Sequence, residues 1–359
     1  KKHRSRYLSI RTALYLAILV SIIPASLIII ATGIEHGRHL ERNARDEALH
    51  QAETFAEIQM RITESTRQTL STLALLPAIE EKKWEQVSEV LSVVHHRNEE
   101  YLNFTIVDSG GIVVASSLLS PGMNLQDRPH VKSAMKNRIF STGEYVLGLI
   151  ESTPSFAYSL PIIDDSGVIQ GCINTLYKLS SYGKLFDNFT LPPDSFLGIL
   201  DRNGTRLYFY PPKETNPIGL PIKEGVWRKI QEGQESGIFT DESSDGVSRY
   251  FGYKKLYLYP GGEPYMYVVY GTPTKQVLSI TRRVTFRNLA IMVVAATCGL
   301  LIASGFFRFL FGNRLNRILE MSGRIKTGYL PARPSLPQDF TDLGNLASSM
   351  ATRSGAIEQ

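Results

Sequence analysis

Cysteine is nearly absent: Cys172 and Cys298 are the only two in 359 residues, which excludes a disulfide framework. No nucleophile elbow, P-loop, paired metal motif or dinucleotide fingerprint occurs, so the chain carries no recognisable catalytic centre, metal site or cofactor site. Glycine and proline are missing from Arg38 to Leu76, a stretch with none of the usual helix breakers. Charge is missing from two runs, residues 12–34 and 288–307. Each is long enough, as a helix, to cross about 30 Å of hydrocarbon. The first run exceeds the apolar core of a signal peptide and no small-x-small cleavage site follows it, so it reads as a retained membrane helix.

What is present sets the orientation. Lys1, Lys2, Arg4, Arg6 and Arg11 precede the first run, and Arg308, Arg314, Arg317, Arg324 and Lys326 follow the second. By the positive-inside rule both termini are cytoplasmic and residues 35–287 lie outside a cell membrane. Lys275, Arg282, Arg283 and Arg287 stand just outside the second run, where lipid headgroups can take them. The net charge of +5 and pI near 9.0 therefore reflect a lipid-bilayer partner, and nucleic acid is not expected.

Beyond the first run, apolar residues at Leu40, Ala44, Ala48, Phe55, Ile58, Ile62, Leu70, Leu73 and Leu76 keep three-and-four spacing, which predicts a long helix over 35–76 ended by Pro77. A shorter helix is expected over Trp84 to His95. Strand signals follow: FTIVDSGGIVVAS (104–116) and SLPIIDDSGVIQGCI (159–173) each read as two β-runs about a turn. FLGILDRNGTRLYFY (196–210) repeats the first of these 93 residues later, RYFGYKKLY echoes SFAYSLPII, and GIFTDE echoes GEYVLG. A repeat of this length predicts two α+β modules in tandem, 77–190 and 191–287. Three N-x-[ST] sequons, at Asn103, Asn188 and Asn203, are read as chance, because a glycan on Asn103 would block strand packing.

After the second run, NRLNRILEMSGRIKTGYL and DFTDLGNLASSM each carry one apolar stripe and are joined by PARPSLPQ. Two short amphipathic helices cannot bury such stripes alone, so a homodimer partner is expected.

Membrane span, long helix, two repeated modules, membrane span and paired helices together resemble the double Cache sensor region followed by a HAMP domain. RIKTGYL resembles the Arg-Ile-x-x-Gly-Asp-Leu of HAMP with Tyr329 in place of Asp, and TDLGNLA its Asp-Glu-Leu-Gly-x-Leu with Asp342 in place of Glu. The resemblance implies an α+β fold of two PAS-like modules on a long helix, with residues 1–11 and a HAMP segment at 308–359 in the cytoplasm. It also implies an output domain beyond Gln359, most often a histidine kinase. A methyl-accepting chemotaxis receptor or a cyclic-di-nucleotide cyclase or phosphodiesterase are the alternatives.

The distal module carries the ligand in that family, and DRPHVKSAM (127–135) is similar to the stretch that holds its carboxylate-binding arginine. Arg128 matches that arginine and Tyr145 falls where a pocket tyrosine is expected. His130 and Val131 replace two aromatics, and Leu176 stands where an amine-binding aspartate would be. The resemblance thus implies a small carboxylate or other polar anion as ligand, and argues against an α-amino acid. The residues themselves agree with an anion, because arginine offers a permanently charged planar fork and the following proline restricts its backbone. A pairing of Arg128 with a carboxylate such as Asp127 is the competing reading. His130 reads as a packed or pocket-lining imidazole, and Phe156 and Tyr158, with Tyr101 and Phe104, as core residues that include pocket walls.

Overall fold

The computed structural model of the protein describes residues 10–149, 151–186 and 189–307. The HAMP-like segment at 308–359 and the basic N-terminal residues lie outside the described residues. Residues 35–281 form one compact unit, and the described flanking residues, 10–34 and 282–307, belong to another.

The first helix, α1 (Ile10–Ala74), includes both the first apolar run and the long helix expected after it. Short α2 (Pro77–Glu80) begins at Pro77, whose missing N–H is harmless in a first turn. Next come α3 (Trp84–Arg97), β1 (Tyr101–Asp108), β2 (Val113–Ser116), α4 (Pro129–Asn137), β3 (Ser141–Leu147), β4 (Pro154–Ile163), β5 (Ile169–Lys178) and α5 (Ser181–Phe186). The second half runs β6 (Phe196–Asp201), β7 (Arg206–Tyr210), α6 (Glu224–Glu232), β8 (Ser236–Glu242), β9 (Ser248–Tyr257), β10 (Pro264–Pro273) and α7 (Thr274–Phe307). The expected helix at Trp84 and all three expected hairpins are present.

Two antiparallel five-stranded sheets result, ordered β2-β1-β5-β4-β3 and β7-β6-β10-β9-β8. The second order is the first with five added to each number, so the internal repeat seen in the sequence is a repeat of topology. Within α7, Arg283–Ile302 has a mean hydropathy of 1.8 and no buried residues, and it is long enough to span a bilayer.

Helix α1 ties the two sheets together. Its buried face is Ala48, Ala52, Phe55, Ala56, Gln59, Thr63, Thr66, Leu70 and Leu73, a three-and-four stripe. Small residues let the backbones approach: a Cβ on Gly252 of β9 would lie 2.1 Å from the Ala48 carbonyl oxygen. Polar residues fix the register. Thr63 Oγ1 is 3.2 Å from Tyr158 Oη of the first sheet and 3.0 Å from Tyr265 Oη of the second, and Tyr182 Oη donates to Gln59 Oε1 at 2.5 Å. Buried hydroxyls satisfied in this way cost little and specify one arrangement.

The core cluster on α1 draws on both sheets, including Phe104, Phe156 and Tyr158 from the first and Leu256, Tyr265 and Tyr270 from the second. On the opposite face of each sheet lies a smaller cluster. Val107, Val113, Leu125, Val131 and Cys172 pack with α4, and Phe196, Val226, Ile230 and Phe251 pack with α6. The thiols of Cys172 and Cys298 are both free.

Candidate functional site

The site forms on the α4 side of the first sheet. Strand alternation sends Phe104, Ile106, Phe156 and Tyr158 toward α1 and leaves Asn103, Thr105 and Asn174 facing the other way. There the segment from Leu118 to Arg128 crosses over the sheet and closes a concavity of about 580 Å³, part of it continuous with solvent. Its walls are apolar: Leu118, Leu119 and Leu125 from that segment, Val146, Leu147 and Leu149 from β3 and beyond, Leu102 and Leu176 from β1 and β5. Leu118, Leu147 and Leu149 are 42%, 48% and 49% exposed, far more than leucines left as packing material.

Polar groups interrupt the apolar lining. Arg128 occupies the N-cap position of α4 in extended conformation (φ −69°, ψ 128°), and its side chain does not cap the helix. The Arg-Pro step places it there: Pro129 is the first helical residue, and a residue before proline is held extended. Among the described residues its guanidinium makes no hydrogen bond or ion pair, with Asp127 or any other group, and it lines the concavity half-buried. Asn174 Oδ1 accepts from Ser159 Oγ at 2.6 Å, while its amide nitrogen has only contacts of 3.5 Å to the carbonyls of Thr105 and Cys172. Asn103 Nδ2 donates at 3.3 Å to Thr105 Oγ1. Arg128 thus brings to the lining a charged donor group that is not spent on protein acceptors among the described residues, suited to an anion. Among the described residues Glu151 is the lone carboxylate of the lining, and it is exposed.

His130 also lines the concavity and is buried. Burial, reinforced by the charge of Arg128, pulls its imidazole down to about 3, so the ring is neutral. The unfolded chain, with an imidazole near 6.5, then binds more protons than the folded one between those values. The stabilisation is complete above about pH 6.5 and is lost as pH falls toward 3. For His130→Gln in the unit 35–281, urea unfolding between pH 6 and 4 is expected to show a stability slope flatter by ~1.4 kcal/mol per pH unit. An unchanged slope would mean that the buried ring is protonated.

Of the residues singled out from sequence, the structure brings Arg128 and His130 together and places three elsewhere. Phe156 and Tyr158 face α1, because they alternate with Ala157 and Ser159 and share the parity of the core. Tyr145 packs at the edge of that core, its ring against Gly219 of the second half. Its backbone N–H donates to Asp201 Oδ2 at 3.1 Å.

That last bond belongs to a junction the sequence hid. In DSGG, Asp108 Oδ1 accepts from the backbone N–H groups of Gly110 and Ile112. In DRNG, Asp201 Oδ1 accepts likewise from Asn203 and Thr205, all four at 2.9 Å. The turns are one motif repeated, yet only Asp201 uses its second oxygen, to hold β3. Beside it Arg202 donates to Thr142 O at 3.0 Å, and Tyr259 Oη donates to Phe140 O at 2.9 Å. Strand β3 therefore has the concavity at Val146 and Leu147 and the second half of the molecule at Thr142 and Tyr145.

Two histidines outside the site, His95 and His96, are adjacent in α3, their ring centroids 5.7 Å apart. His95 Nδ1 is buried without a partner, and burial holds its imidazole below the usual value. Among the described residues no cluster of His, Cys, Asp or Glu could hold a metal ion.

No protein-family model matches the chain, and no curated protein matches it by sequence. Solved structures do match by shape. The periplasmic sensory domain of the Campylobacter jejuni chemoreceptor Tlp1 aligns over 67% of this chain and 98% of that one, with a TM-score of 0.53 and 12% identity. The ligand-binding domain of the Pseudomonas fluorescens chemoreceptor CtaA, in complex with L-isoleucine, aligns over 68% and 98%, with a TM-score of 0.52 and 13% identity. The extracellular domain of the proposed histidine kinase mmHK1S-Z2 aligns over 66% and 99%, with a TM-score of 0.53 and 13% identity. With one long helix bearing two sheets of the same strand order, the unit has the double Cache fold of receptor sensor domains.

Proposed function

We propose that the chain is the sensory part of a transmembrane receptor whose first module, residues 77–190, binds a small carboxylate with an apolar tail. The observation that carries this reading is Arg128: a permanently charged fork, free of any partner among the described residues, set in a concavity walled by leucines. Binding a carboxylate would supply the counter-charge the guanidinium lacks, and the leucines would cover the rest of the ligand. The uncapped N-terminus of α4 adds partial positive charge at Arg128. An α-amino acid fits less well, since Leu176 lines the wall where an ammonium group would need a carboxylate. Titration calorimetry of the purified chain against straight and branched monocarboxylates, the amino acids of matching side chain, and the matching alkylamines tests this reading. Monocarboxylates should bind best and the amines not at all. Equal binding of amine and acid would overturn it.

The membrane reading completes the proposal: residues 12–34 and 288–307 as spans, 35–287 outside the cell membrane, both termini inside, and the chain acting as a homodimer. A histidine kinase is the favoured output domain. A chemotaxis receptor is the second reading, favoured by the likeness to two chemoreceptor sensor domains. With both native cysteines replaced, an impermeant thiol reagent should label Asn203→Cys in intact cells and miss Ser335→Cys; the reverse pattern sinks the orientation.

A further inference from the structure

The second sheet repeats the backbone of the first around its own concavity. Val113 N–H bonds Met123 O and Gly122 N–H bonds Val113 O; in the second half Arg206 N–H bonds Leu220 O and Gly219 N–H bonds Arg206 O. Arg206 therefore occupies the repeat position of Val113, an apolar residue that is 1% exposed. Lys223, N-cap residue of α6, occupies the position of Arg128, but its ammonium already binds the carbonyl oxygen of Glu242 at 2.9 Å.

A buried valine in one copy of the repeat shows that the fold needs no cation at this place. Arg206 is nonetheless only 5% exposed. It donates to Pro221 O at 2.9 Å and to Ser244 Oγ at 3.1 Å and meets no carboxylate among the described residues. Arg249, also buried, has its counter-charge: it donates to Asp245 Oδ2 at 2.9 Å. Burying a guanidinium without a counter-charge is costly. Here it borders a concavity of about 350 Å³, part of it continuous with solvent, that Asn216 and Ser243 also line, with Phe196, Phe209 and Phe251 as apolar wall.

We propose that this cavity in the second module is a second anion site, in which Arg206 binds a short-chain monocarboxylate. The head group would take the free N–H groups of the guanidinium, and two to four carbons would lie against the phenylalanines. Its smaller volume sets the preference for a shorter acid than the first site takes.

The test uses the full chain in lipid nanodiscs with Arg128→Ala, which removes the first site's cation. Calorimetric titration with propionate and, as charge control, propylamine should show binding of the acid alone. Adding Arg206→Gln should raise the half-saturating propionate concentration about tenfold or more, the lower end for losing a hydrogen bond to a charged group. Gly198→Val keeps Arg206 and narrows the concavity at its apolar wall instead. A Cβ at Gly198 meets nothing closer than 3.8 Å, so the backbone accepts a side chain there; the variant should lose propionate in the same measure, and its melting without ligand, expected close to the parent's, checks that the added methyls are accommodated. Propionate binding unaffected by Gly198→Val, or no acid bound by the Arg128→Ala chain, overturns the proposal. A failure of the first site would instead appear as equal carboxylate binding by the wild-type and Arg128→Ala chains.

Discussion

Arg128→Ala should weaken binding of an apolar-tailed monocarboxylate by about 2 to 5 kcal/mol, the range for truncating one member of a desolvated, hydrogen-bonded charge pair. The expectation rests on geometry, since the guanidinium has no other partner among the described residues and its backbone is held extended at the start of α4. Arg128→Lys should recover only part of the loss, because an ammonium offers a point charge where the fork offers two parallel bonds. Without ligand, both variants should melt close to the parent, for no bond within the protein is removed. If the affinity of a verified ligand is unchanged in folded Arg128→Ala, this arginine does not grip it. A large drop in melting temperature of the empty protein would recast Arg128 as a structural residue.

Much of this architecture was legible in the sequence, for a definite reason. The hairpins at 104–116, 159–173 and 196–210 announce themselves through alternating apolar residues around Asp/Gly turns, a purely local signal. The repeat adds long-range information, because two copies of one pattern must fold alike. Other features were hidden where tertiary contacts decide. Gln59, Thr63 and Thr66 belong to the buried stripe of α1 yet interrupt its apolar pattern; their bonds to Tyr101, Tyr158 and Tyr265 of the sheets and to Tyr182 of α5 make burying them acceptable. Phe156 and Tyr158 were candidates for the pocket because alternation alone does not say which face of a sheet looks at a ligand. The signal for that face was polar: Asn103, Thr105 and Asn174, set inside apolar strands at the parity opposite to the aromatics. Nor could the DRNG turn be told from DSGG, since both use their aspartate to close a turn. Its second oxygen finds β3 only once the two modules are side by side.

Asp201 therefore carries the second large effect, on communication between the modules. Its carboxylate is 1% exposed and accepts three backbone N–H bonds, those of Asn203, Thr205 and Tyr145. Asp108 accepts only the two bonds of the equivalent turn and is half-buried. The difference between Asp201→Ala and Asp108→Ala thus isolates the bond to β3 and its burial. Asp201→Ala should cost roughly 1.5 to 3 kcal/mol more, the magnitude of a hydrogen bond to a charged group. The functional consequence follows from the neighbours of Tyr145, since Val146 and Leu147 line the ligand concavity. A ligand that shifts β3 pulls on Asp201, and through the turn on β6 and β7 of the second sheet. A ligand moves such an element only by binding one arrangement better than another. Hydrogen exchange with and without a saturating monocarboxylate reads this directly. In the parent, ligand should slow exchange in 141–147 and also in 196–210. In Asp201→Ala, protection of 141–147 should persist and that of 196–210 should weaken, the bonds of Arg202 to Thr142 and of Tyr259 to Phe140 remaining, with affinity changed by about threefold at most, since the bond lies outside the site. Undiminished protection of 196–210 in the variant would place the coupling elsewhere: in α1, whose Thr63 hydroxyl meets both Tyr158 and Tyr265, or in α5, whose Tyr182 packs on both Tyr177 and Tyr208.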